Sequence, residues 1–285
     1  LGWLLGFADS PAAWNACGRP KFLCPAPGYD RHFRVTEYFG FELITVPMLP
    51  TGPDMDCVEA LVKDEAVKGI WCVPLYSNPD GYSYSDETVR RLAAMKTAAP
   101  DFKIMWDNAY CVHHLTDTHD VILNMLEECR KAGHEDRALM FCSLSKVTFP
   151  GAGVAAMAAS RRNIDYILKN MFPMIISFDK LNQVRHIRFL KDMDGLAAHM
   201  EKHRALLEPK FRAVLAILDE GLSGCGSIAR WTKPNGGYFL SLYTLGGCAK
   251  RTVQLCREAG VVLTDAGAAY PYGVDPQDSN IRIAP

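Results

Sequence analysis

The chain holds 285 residues, 49% of them hydrophobic and 22% charged, with 31 Lys and Arg against 32 Asp and Glu. So much apolar content with so little net charge excludes a natively unfolded chain. A formal charge of -1 offers no overall attraction to nucleic acid or to an anionic membrane. None of the ten cysteines stands in C-x-x-C spacing, and several lie in apolar runs such as Ile70-Trp71-Cys72-Val73 and Leu139-Met140-Phe141-Cys142. They read as buried free thiols of a reduced, cytoplasmic protein.

In chain order, short β-rich runs alternate with amphipathic ones. Strands are expected at Lys21–Cys24, Glu42–Val46, Gly69–Pro74, Lys103–Trp106, Leu139–Ser143 and Gly153–Ala158. Helical patterns cover Asp54–Ala66, Ser85–Ala98 and Val121–Ala132. Ser85 and Thr88 around acidic Asp86 and Glu87 suit a helix start, where free N–H groups want oxygen acceptors and negative charge. Such alternation predicts an α/β fold with a mostly parallel sheet between helices. After Ser177 the texture changes. From Asp179 to Glu220 the pattern is helical, with a break expected at Asp194-Gly195 and a softening at Pro209. Strands at Gly237–Leu242, Val261–Thr264 and Ile281–Ile283, with a helix between the first two, predict a small α+β unit. The expected division is therefore 1–200 for a large domain and 201–285 for a long connecting helix and small domain, with both ends of the chain looking cut.

Polar residues gather where predicted strands end, which is where open α/β sheets bind ligands. Tyr76-Ser77-Asn78-Pro79-Asp80-Gly81 follows one strand, Asp107-Asn108-Ala109-Tyr110 the next, and Ser143-Leu144-Ser145-Lys146 the one after. A lysine, an acid and a tyrosine on one rim suit pyridoxal chemistry, in which an amine forms an imine with an aldehyde and an acid keeps the pyridine nitrogen protonated. Taken singly, each residue has a plainer reading: a solvated lysine, a helix cap, a core tyrosine, a turn. His113, His114 and His119 invite a metal reading, yet no carboxylate or cysteine spacing completes a ligand set, so no metal is expected. Gly236-Gly237 reads as a turn into a strand.

An ordered set of runs extends this pattern. It comprises Phe22 to His32, Gly69 to Pro74, Tyr82 to Leu92, Trp106 to Tyr110, Phe149 to Val154, Pro234 to Phe239 and Asn280 to Pro285. Over essentially the whole chain it resembles a class I aminotransferase of fold type I. More narrowly it resembles the atypical aspartate aminotransferase branch, MocR-like or alanine–glyoxylate-like. The resemblance implies a pyridoxal 5'-phosphate cofactor bound covalently by Lys146, which also moves the substrate's α-proton. It implies Asp107 at the pyridine nitrogen with His32 behind it, Tyr110 and Asn78 at the ring hydroxyl, Tyr29 stacked on the ring, and Ser143 and Ser145 at the phosphate. Arg282 would clamp the substrate carboxylate in a two-pronged contact, with Asn78 also on the substrate side. The implied reaction is ping-pong transamination between aspartate and 2-oxoglutarate in a homodimer. Two departures stand out. Val154 occupies the position eight after the lysine where the family places a phosphate-binding arginine, with Lys180 as the substitute cation considered. The family's Gly/Ser-rich phosphate loop and its last helices would lie outside the sequence. A cofactor-binding sensor domain of a MocR-type regulator, or a lyase or decarboxylase on the same scaffold, are the competing readings.

Overall fold

The computed structural model describes residues 1–285. Seven strands form the large sheet: β1 (Lys21–Ala26), β2 (Glu42–Leu49), β3 (Gly52–Pro53), β4 (Val67–Cys72), β5 (Lys103–Asp107), β6 (Ala138–Ser143) and β7 (Ala155–Ala158), in the spatial order β3-β2-β1-β4-β5-β6-β7. The pairs from β2 to β6 are parallel, while β3 and β7 are antiparallel edges. A smaller antiparallel sheet holds β8 (Ala229–Trp231), β9 (Leu240–Thr244) and β10 (Asn280–Ile283), in the order β10-β9-β8. The helices are α1 (Gly2–Leu5), α2 (Asp30–Tyr38), α3 (Met55–Leu61), α4 (Asp86–Ala94), α5 (Met125–Lys131), α6 (Arg161–Met171), α7 (Lys180–Leu190), α8 (Met193–Leu222) and α9 (Ala249–Glu258).

Period-two alternation along the central strands supplies both faces of the large sheet. Leu23, Ile70, Cys72, Ile104 and Trp106 face one way and pack with Val58 of α3, Val89 and Leu92 of α4, and Met125 and Cys129 of α5. Phe22 and Leu139 face the other way, against Phe7, Trp14 and Ile167. Leu92 and Ile104 are fully buried, so cutting either to alanine would cost about 2–5 kcal/mol. The expected cap on α4 forms: Ser85 Oγ accepts from the Thr88 amide at 3.2 Å.

Several expectations need correction. Val261–Thr264 is not a strand. Val261 and Val262 are exposed, and the third strand of the small sheet is instead β8, a segment of only three residues that pairs with β9. The strand expected from Gly237 begins at Leu240, and the predicted helices in the first half are shorter than their sequence patterns. The helical break falls at Lys191-Asp192, three residues before the position expected. Lys191 adopts φ 65°, and Asp192 caps α8 by accepting from the Gly195 amide. Pro209 lies within α8, which runs on across residue 200. Cys142, expected inside, is exposed on the edge-side strand β6.

Candidate active site

The carboxyl ends of β4, β5 and β6 bring the predicted residues together. Asp107 is the last residue of β5. Lys146 closes the short turn Leu144–Lys146 that follows β6, and two features fold that turn locally. Ser143 Oγ accepts from the Ser145 amide at 3.1 Å, and Leu144 N–H donates to the Val154 carbonyl at 2.8 Å as the chain returns into β7. The side chains of Ser143 and Ser145 meet at 2.8 Å. Gly153 permits this packing, because a Cβ there would fall 2.5 Å from Ser145 Oγ.

Lys146 Nζ donates to Tyr110 Oη at 3.1 Å and lies 4.3 Å from the Tyr110 ring centroid and 5.5 Å from that of Tyr29. Burial lowers the pKa of its amine, and the Asp107 carboxylate opposes that shift. Tyr110 is buried, and burial, followed by the negative charge of Asp107, pushes its phenol up, so it keeps its proton. His32 Nε2 meets Asp107 Oδ2 at 2.9 Å, while its ring stacks on Trp71 at 4.2 Å with planes 11° apart. Tyr29, edge-on to His32, leads directly into α2.

Arg282 reaches the rim from β10 of the small sheet. Its Nη1 lies 3.3 Å from Asn78 Oδ1 and 3.4 Å from Asp30 Oδ1, and Nη2 lies 3.5 Å from Thr264 Oγ1. All three contacts are long, and the buried Nε has no partner. Such an underpaired guanidinium calls for a planar anion. The small sheet is tied to the Asn78 loop a second time, by Tyr243 Oη donating to Asp80 Oδ1 at 2.7 Å. Contacts thus link Tyr29, His32, Asn78, Asp107, Tyr110, Lys146 and Arg282 into one region, whereas the Ser143 and Ser145 side chains bond each other on the turn that leads to Lys146. Lys180 is the exposed first residue of α7, and Val154 contributes only its carbonyl to the lysine turn. The three histidines considered for metal part company: His114 stacks on His119 at 3.7 Å, while His113 points to Lys146.

Sequence reasoning missed Trp71, Asp30, Thr264, His113 and Tyr238. Asp30 could have been suspected from its place between Tyr29 and His32. The others carry no signal in their residue type.

A family profile described as aspartate amino-transferase matches residues 1–285. The chain belongs to that family. A protein of Mycolicibacterium smegmatis, named for aminotransferase activity without a substrate, is 53% identical over 283 residues, which are 99% of this chain and 66% of that one. An aspartate aminotransferase of Corynebacterium glutamicum is 46% identical over 99% of this chain and 65% of its own length. The chain therefore spans about two thirds of the length of these relatives. A crystal structure of an aspartate transaminase from Corynebacterium glutamicum superposes with a TM-score of 0.97 at 46% identity, covering 100% of this chain and 67% of that one.

Proposed function

We propose that the protein carrying this chain is a pyridoxal-phosphate-dependent aminotransferase. In this reading it passes an amino group from an amino acid, aspartate first, to a 2-oxo acid, 2-oxoglutarate first, by a ping-pong route. One observation carries the reading: the Lys146 amine, its basicity lowered by burial, sits 3.1 Å from the Tyr110 hydroxyl and within the field of Asp107. The family supports the cofactor, and the Corynebacterium relative's name supports aspartate.

The residues present fit pyridoxal phosphate. An amine of lowered pKa can attack an aldehyde near neutrality. The carboxylate of Asp107, braced by His32, suits a protonated ring nitrogen, and Asn108 Oδ1 beside it is buried without a partner. At the other end, the Ser143 and Ser145 hydroxyls stand on a turn that Gly153 leaves uncrowded. When bound, the cofactor supplies an aldehyde and a ring that draws electrons from the substrate's α-carbon.

The chain's own residues do the rest. Lys146 would hold the cofactor, and its amine would carry the proton to and from the substrate's α-carbon. Asp107 keeps the ring nitrogen protonated. Tyr110, whose phenol stays protonated, and Asn78 would hydrogen-bond the ring oxygen, with the Tyr29 side chain available beside the ring. Ser143 and Ser145 donate to the phosphate. Arg282 takes the α-carboxylate, drawing on the donors that its long contacts leave underused. We read the protein further as cytoplasmic, which its buried thiols at Cys24, Cys72 and Cys129 suit, and, by its family, as a homodimer. No helix is long and apolar enough to cross a membrane.

The test uses the full-length protein with pyridoxal phosphate. Borohydride reduction followed by peptide mass spectrometry is expected to place one adduct on Lys146, and aspartate is expected to bleach the visible band. An adduct on another residue, or no chromophore, would sink the assignment.

A further inference from the structure

The Lys146 carbonyl receives two side-chain donors, although the turn's own backbone bonds do not use it. Tyr238 Oη donates to it at 3.0 Å and His113 Nε2 at 3.3 Å. A carbonyl can only accept, so Nε2 of His113 carries the hydrogen. Burial drops the His113 pKa to about 4, which keeps the ring neutral near physiological pH. Neither donor touches the Lys146 amine, which is Tyr110's partner.

The two donors stand on two segments of chain that pair with each other. Gly237 N–H donates to the His113 carbonyl at 2.8 Å, and Leu115 N–H donates to the Asn235 carbonyl at 2.8 Å, so 235–237 runs antiparallel against 113–115. The approach requires glycine. A Cβ on Gly236 would stand 2.4 Å from the Tyr76 ring and 2.5 Å from the His113 carbonyl. The two glycines therefore do more than turn the chain toward β9, since they allow Tyr238 to reach the lysine turn. The rings of Tyr110, His113 and Tyr238 pack together there, with centroids 5.2 to 6.1 Å apart.

We infer that His113 and Tyr238 are positioning residues for Lys146: by filling both lone pairs of its carbonyl they fix the peptide plane that aims its amine at Tyr110. The residue that follows is held in the same manner, since His199 of α8 contacts the Val147 carbonyl at 2.8 Å. A lysine must swing between bonded and free states without losing its aim, and clamping the backbone while leaving the side chain mobile meets both needs. This inference rests on the role proposed for Lys146.

The experiment compares Tyr238→Phe, His113→Leu and His113→Gln in the full-length protein, with thermal melts to check folding. Lys146 is first titrated without cofactor, by NMR of the ¹³C-dimethylated amine. Tyr238→Phe and His113→Leu are expected to move its midpoint upward, toward that of a free lysine, as the amine gains access to water. His113→Gln, which can restore an N–H at similar reach, is expected to return it. With cofactor, kcat falls about five- to tenfold for each loss of one hydrogen bond while KM for the amino donor holds. An unmoved titration in both Tyr238→Phe and His113→Leu overturns the inference, as does a change confined to KM. Tyr238→Phe removes only a hydroxyl, so it keeps the test decisive if His113→Leu fails to fold. The titration needs no cofactor, so its failure is distinct from a failure to trap an adduct on Lys146.

Discussion

Removing the Asp9 carboxylate should destabilise the sheet that carries the site, by an amount the structure lets one work out. Lys103, at the start of β5, has a side chain with 0% exposure, and its Nζ sits 2.6 and 2.8 Å from the two oxygens of Asp9. Burial depresses the pKa of Lys103, and Asp9 is foremost among the groups that oppose this. Deleting one partner of a buried pair costs about 3–5 kcal/mol, and the lower end applies because Asp9 keeps 16% exposure. For Asp9→Ala that corresponds to a melting temperature lower by roughly 6–12 °C, at about 2–4 °C per kcal/mol.

The sign with pH follows from linkage. Below the depressed folded-state pKa, the unpaired ammonium penalises the fold in full. Above the free lysine value of about 10.4 it is neutral in both states, so the deficit shrinks as pH rises between the two. Asp9→Ala/Lys103→Met should recover most of the loss, since an apolar pair can replace a buried ionic one at little cost. Circular dichroism melts at pH 7 and pH 10 measure both effects. A fall of under about 2 °C in the single variant, or a double variant as unstable as the single, refutes the reasoning.

Arg282→Lys loses the fork that grips a carboxylate, so dicarboxylate inhibitors should bind about ten- to a hundredfold more weakly by calorimetry, from the loss of a charged hydrogen bond. An affinity within threefold of the parent would argue against the clamp. In Asp107→Asn the Lys146 amine loses the negative charge that raises its pKa, so its titration by pH-dependent acylation should move to lower pH; an upward move contradicts the assigned electrostatics. Gly153→Ala drives a Cβ to 2.5 Å from Ser145 Oγ and should lower stability in urea by about 1–3 kcal/mol, whereas a neutral result would mean the turn can give way.

The large sheet was legible because β1, β4, β5 and β6 are apolar runs that stop abruptly at polar residues, and a parallel sheet gathers its strand ends on one rim. That rule alone brought Asn78, Asp107 and Lys146 into one neighbourhood. The small sheet was read less well. Val261-Val262 has β-branched residues yet no partner strand, whereas Ala229–Trp231 has little strand character and gains its place by pairing with β9. Local composition cannot reveal which segment finds a neighbour. Cys142 misled for a similar reason, since its run is apolar but its strand lies one from the edge. The contacts of His113 and Tyr238 were invisible because their partner is a backbone carbonyl, which every residue possesses. Asp30 meets Arg282 only through the docking of the small sheet on the large one, and Thr264 reaches it from a segment without regular structure that packs on the small sheet.

The amine of Lys146 is rooted in the large sheet and the guanidinium of Arg282 in the small one. A molecule gripped by both therefore acts as a reversible cross-link between two separately built cores. Its binding free energy enters the cohesion of the whole chain, with about 2.7 kcal/mol added at a ligand concentration a hundred times Kd. Saturation with such a molecule should make the two cores melt more nearly as one.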